Sequence, residues 1–127
     1  MRRTMIITIA VFVCTMALCT LNHREVNRVV NHARHLRTEA LEAMDDGEVQ
    51  KAEERMVALA SYIEDEQLWL QMVCDHGDLH ELRVNIIDAQ AAIEFGIEDD
   101  FYQAVYRFGE GLEHIAEIEK ISWGNLY

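Results

Sequence analysis

The sequence predicts an all-α protein in which an N-terminal transmembrane helix continues into an antiparallel bundle of about four helices. Three observations carry this. Met5 to Leu21 is a run of seventeen residues without a charge, preceded by Arg2 and Arg3 and followed by Asn22, His23 and Arg24. Proline is absent from all 127 residues, where ordinary usage of ~5% would supply about six. Beyond the apolar run, hydrophobic residues recur at steps of three and four in separate stretches, the period of an amphipathic helix.

The apolar run sets the domain organisation, with residues 1–21 as a membrane anchor and residues 22–127 as a soluble, acidic helical domain. Seventeen helical residues rise about 26 Å at ~1.5 Å each, slightly short of a ~30 Å hydrocarbon core. Thr4 and Asn22 extend the span, and the flanking arginines can snorkel to the headgroups. A cleaved signal is the weaker reading, since its apolar region is usually roughly 7–15 residues long and ends at a small-x-small site. The nearest such site is Ala17-Leu18-Cys19. Lipidation at Cys19 is weaker again, because Leu18 stands where a small residue is wanted. Orientation is balanced between two signals. The short, arginine-bearing leader directs the domain out of the cytoplasm, whereas Arg24, Arg28, Arg34 and Arg37 just past the anchor favour keeping it inside. The leader-like start is followed here, so the soluble domain is expected to be extracytoplasmic.

The first helix continues from the anchor to about Met44, with Val26, Val29, Ala33, Leu36, Ala40 and Met44 on one stripe, and Asp45-Asp46-Gly47 ends it. Asp46 is positioned to cap the second helix. That helix carries Val49, Ala52, Met56, Leu59, Ile63, Leu70 and Val73 and runs to about Asp75, a length that invites a bend. His76-Gly77-Asp78 forms the next break, with Asp78 as the cap of a third helix bearing Leu79, Leu82, Ile86, Ala89 and Ile93. Gly96 closes that helix in the left-handed position. Asp99 or Asp100 caps the fourth, whose face is Phe101, Ala104, Phe108, Leu112, Ile115 and Ile118. Residues 122–127 are expected to be irregular. Connections of three to five residues force antiparallel neighbours. A weak internal repeat aligns residues 47–63 with 99–115 and raises tetratricopeptide-like hairpins as an option.

Charge divides along the chain. The total is −12. Residues 1–37 carry Arg2, Arg3, Arg24, Arg28, Arg34 and Arg37 against Glu25, a net +5, while residues 38–127 carry five basic and twenty-two acidic side chains, a net −17. No basic patch of domain size exists, so nucleic acid is not an expected partner. The basic segment beside the anchor suits anionic headgroups, and the acidic remainder is repelled by them. Cys14 and Cys19 lie in the anchor and Cys74 stands alone beyond it, so the soluble part has no internal disulfide pair.

Candidate chemistry is thin. His76 and His80 are four apart with Asp75, Asp78 and Glu81 nearby, the spacing with which two histidines share a metal on a helix face. A cap at Asp78 between them would put that single face in doubt, and structural capping is the favoured reading. His32 and His35 are read as polar packing near the membrane. Trp69 is read as a core anchor, and Met44, Met56 and Met72 as fillers on or near core faces. Glu64-Asp65-Glu66 and Glu98-Asp99-Asp100 lack the ligand spacing of a dedicated Ca²⁺ loop and read as solvated surface. No nucleophile–base pair, phosphate-cradling loop or paired carboxylates stand out, so a non-enzymatic protein without a cofactor is expected.

Trp69, His76-Gly77-Asp78 with Leu79 and Leu82, Glu113-His114-Ile115 and the ending Asn125-Leu126-Tyr127 together form a pattern that resembles the bacterial family of unknown function numbered 4363. The ending departs from the family pattern at Trp123 and Gly124. The resemblance spans nearly the whole chain and implies a small, singly anchored helical protein. It carries no activity, ligand or site residue. The resulting expectation is an accessory or interaction subunit at the bacterial cell envelope that contacts another envelope protein through His76, Asp78, Trp123, Asn125 and Tyr127. A metal sensor or buffer using His76 and His80, and a cytoplasmic-facing adaptor, are the alternatives. The anchor lacks a small-x-x-x-small glycine motif, which leaves the oligomeric state open.

Overall fold

A computed structural model describes residues 1–126; the side chains of Val73, Glu119 and residues 121–126 are not among those described. The described chain is five α-helices with no strand: α1 Arg2–Asp45, α2 Val49–Asp65, α3 Gln67–Val73, α4 His76–Phe95 and α5 Glu98–Leu126. The apolar run and the first helix of the domain are thus one uninterrupted helix of 44 residues.

Two matching turns make the hairpins. The Gly47 N–H donates to the Met44 carbonyl and the Glu48 N–H to the Ala43 carbonyl, at 3.1 and 2.8 Å. The Gly96 and Ile97 N–H groups repeat this on Ile93 and Ala92, at 3.2 and 2.9 Å. Both are Schellman closures, which satisfy the last carbonyls of a helix and need a residue with positive φ. Gly47 and Gly96 supply it, at φ 77° and 71°. These turns correct three expected caps. Asp46 closes α1 at φ −83°, ψ 0° rather than opening α2, which Glu48 precedes. Asp75, extended at φ −65°, ψ 144°, precedes α4, so Asp78 falls within the first turn. Glu98, Asp99 and Asp100 all lie in the first turn of α5. Acidic side chains are favourable against the positive end of the helix dipole even where they do not cap. The turns also undo the internal repeat: equating Gly47 with Gly96 pairs Ala52 with Phe101, not with Ala104.

The helices close into a ring. α1 packs on α2, α2 on α4, α4 on α5 and α5 on α1, while the diagonal pairs do not meet. This is an up-down four-helix bundle in which, among the described residues, α3 touches α2 and α4 alone. The tetratricopeptide option fails here, because stacked hairpins would bring α1 against α4. The register of each pair is antiparallel. Along α1, Glu39, His32 and Arg28 meet Arg55, Tyr62 and Glu66 of α2. On the other side Asp45, Arg37 and Arg34 meet Tyr102, Val105 and Glu113 of α5. The bundle therefore has a proximal end, next to the apolar run, and a distal end that carries the two glycine turns.

The predicted stripes are the core. Val29, Met56, Leu59, Ile63, Leu82, Phe101, Val105 and Phe108 are the largest fully buried side chains. Burial of a side chain of this size contributes about 1.5–3 kcal/mol. The core begins at Val26, and none of the most apolar window of α1 is buried. Three stripe positions depart from expectation. Val49 and Ile118 are exposed, and so is Met72, which is not a core filler. Trp69 is partly buried against the core.

The expected second helix, reaching to Asp75, is broken at Glu66 (φ −91°, ψ 7°) into α2 and α3. Arg28 of α1 holds Glu66 at 3.5 Å. The chain turns there, and Leu70 enters the core. The expected irregular ending is also corrected, since α5 runs to Leu126. A single Gly124 costs only ~1 kcal/mol in a helix, and no proline intervenes.

Candidate functional site

The antiparallel register brings the start of α4 and the later turns of α5 toward the proximal end of the bundle. α4 starts at His76 and α5 finishes at Leu126, and both termini lie at the proximal end. His76 is exposed and Asp78, two residues on, is half-buried. The Asp78 carboxylate faces His114 Nε2 of α5 at 3.8 Å, an ion pair whenever that histidine is protonated. The side chains of Trp123 and Asn125, and all of Tyr127, lie outside the described residues.

His76 and His80 both belong to α4, so the doubt about a shared helical face is removed. Both are exposed. Among the described residues, however, no group of three or more His, Cys, Asp or Glu side chains is placed to hold a metal ion.

Next to these residues a polar cluster lines the seam of α1 and α2. Arg28 donates to Glu25 at 2.8 Å from Nη2 and 3.1 Å from Nε. The His32 and Tyr62 rings lie 4.3 Å apart between centroids, tilted by 55°. The Tyr62 hydroxyl is buried without a hydrogen-bond partner. Burial is the leading cause that pushes its pKa upward, and Arg28 opposes it. One turn further, Glu39 receives both His35 and Arg55, at 2.5 and 2.6 Å. His32 thus packs between α1 and α2, whereas His35 pairs with Glu39 within α1.

The seam of α1 and α5 holds a feature that the sequence reading missed. Arg37 lays its guanidinium across α5, donating from Nε to the Val105 carbonyl at 3.0 Å and standing 5.7 Å above the Tyr106 ring. A Cβ at Gly109 would fall 2.5 Å from Arg37 Nε, so only glycine leaves that space. One turn toward the proximal end, Arg34 pairs with Glu113 at 2.5 Å. An open groove of about 490 Å³ runs beside them. The available signal was Gly109-Glu110-Gly111, two glycines inside a helical pattern, which mark close approach of neighbours.

The apolar half of α1 has its own internal accounting. The hydroxyls of Thr8, Thr15 and Thr20 donate to the carbonyls of Thr4, Val11 and Met16 one turn back, at 2.8, 2.8 and 2.9 Å. Every polar side chain in that run other than cysteine is therefore satisfied within the helix. That is what a hydrocarbon environment requires. By length and composition this helix can cross a membrane.

The sequence matches the family described as a domain of unknown function (DUF4363) over residues 20–126. No curated protein and no solved structure matches it.

Proposed function

We propose that this chain, which belongs to the DUF4363 family, is a single-pass membrane protein whose helical bundle acts as a non-enzymatic interaction or accessory subunit at the bacterial cell envelope. The observation that carries this reading is the unbroken α1. A segment apolar enough to span a membrane becomes, without a linker, the helix that supplies Val26 to Met44 to the core. A bundle joined in this way is held at a set height above the membrane, which suits a protein that presents a surface to a neighbour in the same membrane. His76 and Asp78, with Trp123, Asn125 and Tyr127 in the adjoining ending, form the proposed contact with another envelope protein.

Deletion of residues 122–127 removes three of the five contact residues and none of the described core. In native-detergent pull-downs the intact chain should retain an envelope protein that the shortened chain loses, with equal far-UV circular dichroism for the two. Equal recovery by both chains, or recovery by neither, counts against the proposed contact.

The arginines favour a second reading, a bundle facing the cytoplasm as an adaptor. Arg24, Arg28, Arg34 and Arg37 all follow the apolar run, where positive charge prefers the cytoplasmic side. Cysteine-free protein (Cys14, Cys19 and Cys74 to Ser) with Asp99→Cys at the distal end decides between them. Labelling by an impermeant maleimide in intact cells supports the extracytoplasmic bundle. Labelling only after lysis supports the adaptor.

A further inference from the structure

α3 stands apart from the rest of this acidic domain. Its seven residues, Gln67-Leu68-Trp69-Leu70-Gln71-Met72-Val73, carry no charge, although Glu64-Asp65-Glu66 precede them and Asp75 follows. Leu70 is 3% exposed, while Leu68 and Met72 are 80% and 83% exposed. Positions 68 and 72 share one helix face, and position 70 lies on the opposite side. Once Leu70 is seated in the core, the Leu68–Met72 face must turn away from it.

The register says where that face lies. Glu66, immediately before α3, pairs with Arg28 of α1, which is seven residues past the end of the apolar run, about 10 Å along the helix. α2 runs antiparallel to α1, so the chain enters α3 heading toward the apolar run. The interfacial layer of a bilayer is roughly 5–7 Å deep on each side of the hydrocarbon, and Leu and Met side chains add several ångströms of reach. α3 is therefore within touching distance of the headgroups. Trp69, half-buried beside this face, is the residue type that settles at that depth.

We propose that α3 is an interfacial foot: its Leu68–Met72 face enters the headgroup layer of the membrane that α1 spans and fixes the tilt of the bundle. This rests on the reading of α1 as a membrane helix.

The test uses the full chain in phosphatidylcholine vesicles, with Cys14, Cys19 and Cys74 replaced by Ser and a spin label on one cysteine at a time. The sites are Leu68→Cys, Met72→Cys, Ile7→Cys in the apolar run and Val57→Cys, which is 51% exposed on α2 away from the proximal end. All four side chains are exposed, so the core is untouched, and unchanged far-UV circular dichroism checks this. Collision with O₂ and with a water-soluble nickel chelate reads depth. Labels at 68 and 72 should show a ratio of O₂ to nickel accessibility several-fold above that at 57 and below that at 7. If the label at 7 reads as hydrocarbon while those at 68 and 72 match 57, the interfacial foot is wrong and the anchor stands. Low accessibility of 68 and 72 to both reagents means a protein surface covers the face, which also overturns the proposal. An aqueous reading at 7 overturns the anchor and the foot together.

Discussion

Tyr102 and Asp45 tie α5 to α1 at the distal end of the bundle through a 2.6 Å hydrogen bond from the phenol to the carboxylate. That bond exists only while the phenol keeps its proton. The hydrogen bond to Asp45, then burial and the Asp45 charge, push the Tyr102 pKa up to about 12 from 10.0. A pKa raised on folding means that the folded state holds the proton more tightly than the unfolded state. The contribution is thus whole below pH 10 and disappears as the pH rises from 10 through 12. The Tyr102→Phe variant lacks it at every pH. In urea titrations the wild type should unfold at higher midpoint than Tyr102→Phe by a constant margin between pH 7 and 9. The margin should shrink steadily above pH 10. A margin that stays constant to pH 11.5 would show that the bond contributes nothing specific to the neutral phenol.

Among the elements, α5 makes the closest approaches, and it uses two glycines to do so. Gly109 faces the Arg37 guanidinium of α1, and a Cβ at Gly111 would fall 2.9 Å from Leu82 Cδ2 of α4. The two neighbours differ in their freedom to yield. Arg37 is a long side chain beside an open groove, whereas Leu82 is 0% exposed in the core. Overpacking a core costs about 1–3 kcal/mol, and replacing a helical glycine by alanine returns ~1 kcal/mol of propensity. Gly111→Ala should therefore destabilise the bundle by about 1 kcal/mol in urea unfolding. Gly109→Ala, which only has to displace Arg37, should lie closer to wild type. If Gly111→Ala proves the more stable of the two, α4 and α5 are not held at the described separation. The same elements show how far a sequence pattern reaches. Spacings of three and four located the stripes of α1, α4 and most of α5, because core burial demands that period. They missed the break at Glu66, where the helical spacing continues on both sides and only the distant Arg28 distinguishes the turn. They also placed three caps on aspartates, since a capping side chain is a strong local signal. The observed turns are instead governed by the positive φ of Gly47 and Gly96.

For the molecule as a whole, the question is whether the bundle depends on the apolar half of α1. Its core begins at Val26, and the polar and ring pairs that join α1 to α2 and α5 run from Arg28 to Asp45. A fragment of residues 22–127 should therefore be helical by circular dichroism and unfold cooperatively in urea, with a slope of roughly 1–2 kcal/mol per M, as expected of a domain near 100 residues. A broad, sloping transition would mean that the proximal end needs the membrane or the anchor to order. That result would fit an α3 foot that is stable only against lipid, and the spin-label depths would then locate the dependence.

Composition and periodicity by themselves determined that this protein is all-α, that a membrane-length apolar helix leads into the domain, and most of the side chains that fill its interior. These follow from local physics: the absence of proline, the charge-free run and the 3.6-residue repeat each act within a few turns of chain. The tertiary structure alone decided that the bundle closes α1 onto α5, that Arg37 needs Gly109, that Met72 faces outward while Leu70 faces in, and that the start of α4 and the finish of α5 share one end with the apolar run. Each of those depends on residues between about 30 and 100 positions apart, or on which face of a short helix meets the core. No spacing along the chain encodes such a pairing; it arises when helices of set length and register pack against one another.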